Sequence, residues 1–286
     1  MFDRLISVDW SGAGSEENAV NLRVAAWDAT LDRACIVRRR RDDRTAVSWS
    51  RRAFRDWLSI QLQDKRPALI AMDFGFGLPW GSDQSVFKVV GWRAMIREIA
   101  KKYHEHGTAR ATAISINNDE RFGGHGPYRF DRDRNDFRFY VDNRTAYYRH
   151  TELFAPQAIS QWYLGSGGTV GFHTITGLSA LDFLICEREA GRLDFIVWPQ
   201  EVAVPDGKRH VLAESYPAIC QQPVENGPCY DQHERDAWKV LQMLRIKKNE
   251  KSLASLFHIK EQPCGRINGI AFHEQIRFEG FILGIT

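Results

Sequence analysis

Short apolar runs that end in an acid recur along this chain. Residues 5–9 read Leu5-Ile6-Ser7-Val8-Asp9 and predict a strand whose last residue is a carboxylate. Trp10-Ser11-Gly12-Ala13-Gly14 follows, a turn of small residues open enough for something large to approach its backbone. Runs over 22–27 and 34–40 flank Asp28-Ala29-Thr30-Leu31-Asp32, which reads as a hairpin turn, so the first three strands predict an antiparallel meander. Apolar positions then change to helical spacing over 48–63, with Phe54, Trp57, Leu58 and Leu62 on one face and Ser48 or Ser50 as N-cap. Residues 67–73 are the most continuously apolar so far and predict a buried central strand. It ends in Asp73, and Phe74-Gly75-Phe76-Gly77-Leu78-Pro79 cannot prolong it.

Helical spacing returns over 87–106, 154–164 and 178–188, and strands are expected over 194–198 and 210–213. The last of these ends in Glu214, a third carboxylate at a strand end. From Asp231 a further helix is expected, with Ala237, Val240, Leu241 and Leu244 as its buried stripe. Asp231 reads as its cap, whereas His233 and Asp236 lie on the flank that can face the sheet. Three antiparallel strands, a helix and a parallel central strand are the opening order of the RNase H-like fold. The chain is therefore expected to form one α/β domain over 1–286, a mixed five-stranded sheet with helices on both faces, interrupted after the fourth strand by an insertion over 84–165.

Composition narrows the chemistry. With 286 residues, 43% of them hydrophobic and 26% charged, the chain can bury a full core, and a net charge of +3 supplies no global basic field for nucleic acid. Five cysteines without a C-x-x-C pair suit reduced thiols in a cytoplasm, and no apolar run is long enough for a membrane span. Local patches must then carry any nucleic-acid contact. Residues 117–150 interleave arginines, among them Arg129 and Arg138, with Phe and Tyr, the composition that stacks on bases and binds phosphates. Nearby aspartates almost cancel that charge, so a section held by its own aromatic cluster and Arg–Asp pairs is the competing reading. Residues 165–171 form a glycine-rich loop that lacks the order of a P-loop.

Taken together, Val8-Asp9-Trp10-Ser11-Gly12, Met72-Asp73 with Gly77-Leu78-Pro79, Gly168-Thr169-Val170-Gly171, Thr176-Gly177-Leu178, Glu214-Ser215-Tyr216-Pro217, His233-Glu234-Arg235-Asp236-Ala237 and Glu279-Gly280-Phe281-Ile282-Leu283-Gly284 resemble domain-of-unknown-function family 429, predicted nucleases with an RNase H-like fold. His233-x-x-Asp236-Ala237 also resembles the helix motif of RuvC-type resolvases. The resemblance implies a metal-dependent nuclease acting on a nucleic-acid substrate. Two Mg2+ or Mn2+ ions roughly 4 Å apart serve phosphodiester hydrolysis if several carboxylates hold them. Asp9 would bridge the ions, Asp73 and Asp236 would each complete one, and Glu214 would ligate or orient water. His233 would transfer a proton or touch phosphate, and Ser11, Arg129 and Arg138 would contact substrate. Two alternatives stand beside this: an actin-like ATPase or phosphotransferase using the turns after Asp9 and Asp73 as phosphate loops, and a non-catalytic nucleic-acid-binding module.

Overall fold

The computed structural model describes residues 2–18, 20–40, 46–123, 125–130, 139–140, 145–155, 157–165, 170–220, 227–260, 266–267 and 270–285. Strands β1 (Arg4–Asp9), β2 (Arg23–Asp28) and β3 (Arg33–Ile36) precede helix α1 (Arg51–Gln61) and strand β4 (Ala68–Met72). Helices α2 (Trp92–His106), α3 (Ala109–Asn117) and α4 (Val170–Glu189) follow, then β5 (Phe195–Trp198), β6 (His210–Glu214), α5 (Gln232–Asn249) and α6 (Phe272–Glu279). The six strands form one mixed sheet in the order β3-β2-β1-β4-β6-β5. The first three pair antiparallel, and β1, β4, β6 and β5 run parallel. The sheet therefore has six strands rather than the expected five, because β5 adds an edge beyond β6.

Alternation along the strands divides the interior in two. Ile6, Val8, Ile70, Met72 and Leu212 face a core shared with α1, α2 and α4, whereas Leu5, Leu69, Ala71, Val211 and Ala213 face a second core under α5. Every residue of β1 and β4 is buried, as expected of strands covered on both faces. Ser50 caps α1, its side chain accepting from the Ala53 amide, and Asp231 caps α5 through the Glu234 amide. The stripe read for α5 is the buried one.

Two expectations about residues 84–165 change. Met95, Ile96, Ile99 and Tyr103 of α2 belong to the first core, and α2 packs along α4, so the start of the expected insertion is built into a structural layer. The helix expected over 154–164 is a single turn at His150–Phe154 that ends before Pro156, whose ring disfavours helical backbone at Ala155. No helix among the described residues is long and apolar enough to cross a membrane.

Candidate active site

Register decides which acids meet. Val8 pairs with Met72 across the parallel β1–β4 ladder, and the Asp73 amide donates to the Val8 carbonyl at 3.0 Å. Asp9 and Asp73 therefore stand side by side at the ends of neighbouring strands, whose spacing is about 4.8 Å. Alternation turns both toward the α5 face, opposite to Val8 and Met72. Asp9 is 6% exposed, and its carboxylate meets His233 Nδ1 at 2.8 Å. Burial pushes the Asp9 carboxyl up to about 6, with Asp236 adding to the effect and His233 opposing it. Asp73 keeps part of its accessible surface but is enclosed on most sides. Burial, and then the charges of Asp9, Glu214 and Asp236, push it well above the carboxylate range. No side chain or amide among the described residues donates to its carboxylate.

Helix α5 lies across β1 and β2, and its first turn is fixed by an ion pair. Arg23, opposite Asp9 in the β1–β2 register, holds Asp231 at 2.8 Å. That anchor sets His233 over Asp9 and directs Asp236, one turn on, to the same end of the sheet. Asp236 accepts from Gln232 Nε2 at 3.0 Å and Lys239 Nζ at 3.2 Å. The hydrogen bond to Asp9 raises the His233 pKa above its ordinary value. Asp9, Asp73, His233 and Asp236 thus belong to one electrostatic neighbourhood, although among the described residues no three metal-capable side chains already stand at ligand spacing.

Glu214 occupies a different place from the one expected. It is level with Met72 rather than Asp73, so alternation sends its side chain to the other face. There Arg149 grips both oxygens, Nη1 at 2.8 Å and Nη2 at 2.7 Å, and the Phe76 amide adds a third bond at 3.0 Å. Glu214 is therefore held by an arginine and is not an open metal ligand. Arg149 itself is fully buried and also bonds Glu152 at 2.9 Å, placing the end of the 84–165 section against the sheet.

Ser11 is also internal. Its hydroxyl accepts from the Ala13 amide, and its carbonyl accepts from buried Arg51 at 2.9 Å, so it closes a turn rather than facing substrate. Arg51 reaches the Ala13 and Gly14 carbonyls as well. A Cβ at Gly12 would stand 2.4 Å from the backbone of Phe172, and one at Gly77 would stand 2.4 Å from that of Phe278. The chain's own backbone packs against Gly12 and Gly77, and the Gln161 side chain packs against Gly75. Of the glycine-rich loop over 165–171, residues 166–169 lie outside the described residues.

Arg129 is half-buried over the Tyr147 ring at 5.8 Å, and its backbone pairs with residues 162–164. Together with the edge contacts among Phe122, Phe139, Tyr140 and Tyr147, this favours a section held by its own aromatics. Arg138 lies outside the described residues.

Two neighbours of the site were not among the residues expected in it. His173 sits where Gly12 touches α4, and burial, then His233 and Arg51, hold it down to about 4, so its ring is neutral. Its Nδ1 has no hydrogen-bond partner among the described residues. Ser215 follows Glu214 and is level with Asp73, its amide donating to the Met72 carbonyl at 2.9 Å.

Asp9 and His173 tie the stability of the metal-free protein to pH in opposite senses: His173, held down to about 4, adds stability as pH rises toward its unfolded value, and Asp9 removes it. Asp9, raised to about 6 from 3.8, binds its proton more tightly when folded, so its contribution is full below about pH 4 and gone above about pH 6. That window is worth on the order of 3 kcal/mol. His233, also raised, loses its contribution as pH rises above its unfolded value. The urea midpoint of wild type minus that of Asp9→Asn should fall from pH 4 to 6, since the histidines are common to both proteins. A difference that rises across this range contradicts the assignment.

No family model, no curated protein and no solved structure matches the chain.

Proposed function

We propose that the protein is a metal-dependent nuclease of RNase H-like architecture that hydrolyses phosphodiester bonds. One observation carries the reading. Two aspartates end adjacent parallel strands on the same face, and among the described residues the carboxylate of Asp73 accepts no hydrogen bond while neighbouring acids oppose its ionisation. An acidic cluster of this kind opposes its own charge unless a cation compensates it. Oxygen ligands suit Mg2+ or Mn2+, so the donor set fits hard divalent cations.

Asp9, Asp73 and Asp236 would hold the ions, and Glu214 is replaced as a ligand by its role in fixing Arg149. Bound in this way, two such ions would supply charge stabilisation at the scissile phosphate and an activated water. The chain's residues do the remaining work. Asp9 holds His233 in place, and His233, with part of its surface open, can exchange a proton with substrate or leaving group. Asp236 is steered by Gln232 and Lys239, and either contact can rearrange when the carboxylate turns to a cation.

The test is thermal melting of wild type and Asp73→Asn across a Mn2+ titration, beside cleavage of single-stranded, duplex and branched nucleic acids. Wild type should gain about 2.7 kcal/mol at a hundredfold excess over Kd. Asp73→Asn should melt higher than wild type without metal and gain little with it. Wild type that neither gains stability with Mn2+ nor cuts any substrate refutes the proposal, and a binding module then takes its place.

A further inference from the structure

The three aspartates of the site are not equally open to a cation. Among the described residues Asp73 accepts no hydrogen bond, and Asp9 meets only His233, through Oδ2, which leaves its Oδ1 free. Asp236 differs. Its Oδ1 accepts from Lys239 Nζ at 3.2 Å and from Gln232 Nε2 at 3.0 Å, and its Oδ2 accepts from Gln232 at 3.1 Å. Among the described residues it alone of the three is bonded to a lysine or arginine.

Helical spacing puts the ammonium there. Lys239 follows Asp236 by three residues on α5 and Gln232 precedes it by four, so all three side chains leave the same face. A divalent ion ligated by Oδ1 sits about 2–2.5 Å from that atom, and so falls within a few Å of an ammonium that is 3.2 Å from the same oxygen. Two cations that close repel, whereas neutral Gln232 sets no such barrier. The lysine has somewhere to go. Its side chain is 34% exposed and that of Asp236 24%, so the ammonium can swing into solvent on its flexible four-carbon stem.

We propose that Lys239 is the resident counter-ion of Asp236 and sets the order of metal loading: a first divalent ion enters at Asp9 and Asp73, and a second is completed by Asp236 only as Lys239 leaves it. This rests on the nuclease reading. A substrate phosphate is a partner for the displaced ammonium, since lysine binds phosphate as a point charge. The second ion and the nucleic acid then favour each other, and the protein alone holds one ion tightly.

The experiment is a Mn2+ titration of wild type, Lys239→Met and Lys239→Arg without nucleic acid, read from the electron paramagnetic resonance signal of free Mn2+, beside metal-free melting of each. Wild type should bind one ion tightly and a second weakly. Lys239→Met should leave the first dissociation constant nearly unchanged and lower the second by roughly 10- to 30-fold, the repulsion of a unit charge on a divalent ion about 4–6 Å away in a solvent-screened site. Lys239→Arg keeps the charge and should keep the two steps apart. Metal-free melting should hardly change, because a partly exposed pair contributes little. A second constant that does not fall in Lys239→Met overturns the inference while leaving the nuclease reading intact. A fall shared equally by both constants shows a general field effect, and metal-free melting well below wild type shows a structural ion pair. Either overturns it, as does a wild type that takes two ions with equal affinity. A wild type that binds no Mn2+ fails at the earlier step and takes the inference with it.

Discussion

On the proposed nuclease reading, Asp9→Asn is expected to lower metal-dependent cleavage by on the order of 10³-fold or more while leaving the protein folded. Asp9 is the carboxylate that β1 delivers between its two neighbours in the site, Asp73 across the ladder and His233 on α5. Asparagine keeps its shape and one acceptor oxygen but removes the charge. The loss therefore acts on cation affinity and on the orientation of His233 together. Stability should move in the opposite direction. Burial disfavours the charged form of Asp9, so the amide should be tolerated or should raise metal-free melting above pH 6. Cleavage kinetics beside melts with and without Mn2+ separate the two effects. A variant that retains wild-type turnover removes Asp9 from the mechanism, and one that fails to fold reassigns it to structure.

Arg149→Met should be the most destabilising substitution discussed for this protein. Arg149 is fully buried and neutralises two buried acids, bonding Glu152 through Nε and Glu214 through both terminal nitrogens, and it also donates to the Glu279 carbonyl at 3.0 Å. Methionine fills much of the same volume but leaves both carboxylates without a counter-charge, and breaking a buried pair in this way costs about 3–5 kcal/mol. In a chain of this size that corresponds to a fall in melting temperature of roughly 10 °C. The loss should be largely recovered by adding Glu152→Gln and Glu214→Gln, because the charge and not the hydrogen-bonding shape is then removed from the interior. Calorimetry on the single and triple variants checks it. If the triple variant melts as low as the single one, packing rather than charge is what Arg149 supplies.

The local elements of this fold were legible because each follows from a pattern a few residues long. β1 and β4 are apolar runs closed by aspartates, α1 shows its buried face in Phe54 and Leu58, and Asp231 is a cap because its side chain is short and precedes an amphipathic helix. From those elements the adjacency of Asp9 and Asp73 could also be read, since a central strand parallel to the first brings their ends together. Helical spacing likewise marked His233 and Asp236 on one helix flank.

What the sequence could not decide was every question of register and close approach. Glu214 and Ser215 are consecutive, and a one-residue difference in how β6 aligns with β4 would exchange their faces. Only the ladder turns the acid toward Arg149 and puts the serine on the face of Asp73. The glycines after Asp9 and Asp73 signalled a need for space but not its occupant, which is the chain's own backbone from α4 and α6. Arg149 was one arginine among many in an aromatic-rich section, and its burial depends on partners 65 and 130 residues away in sequence. Periodicity records the environment of a residue along its own strand or helix. The pairing of charges across the interior depends on which elements the whole chain brings together, and that is set by tertiary packing.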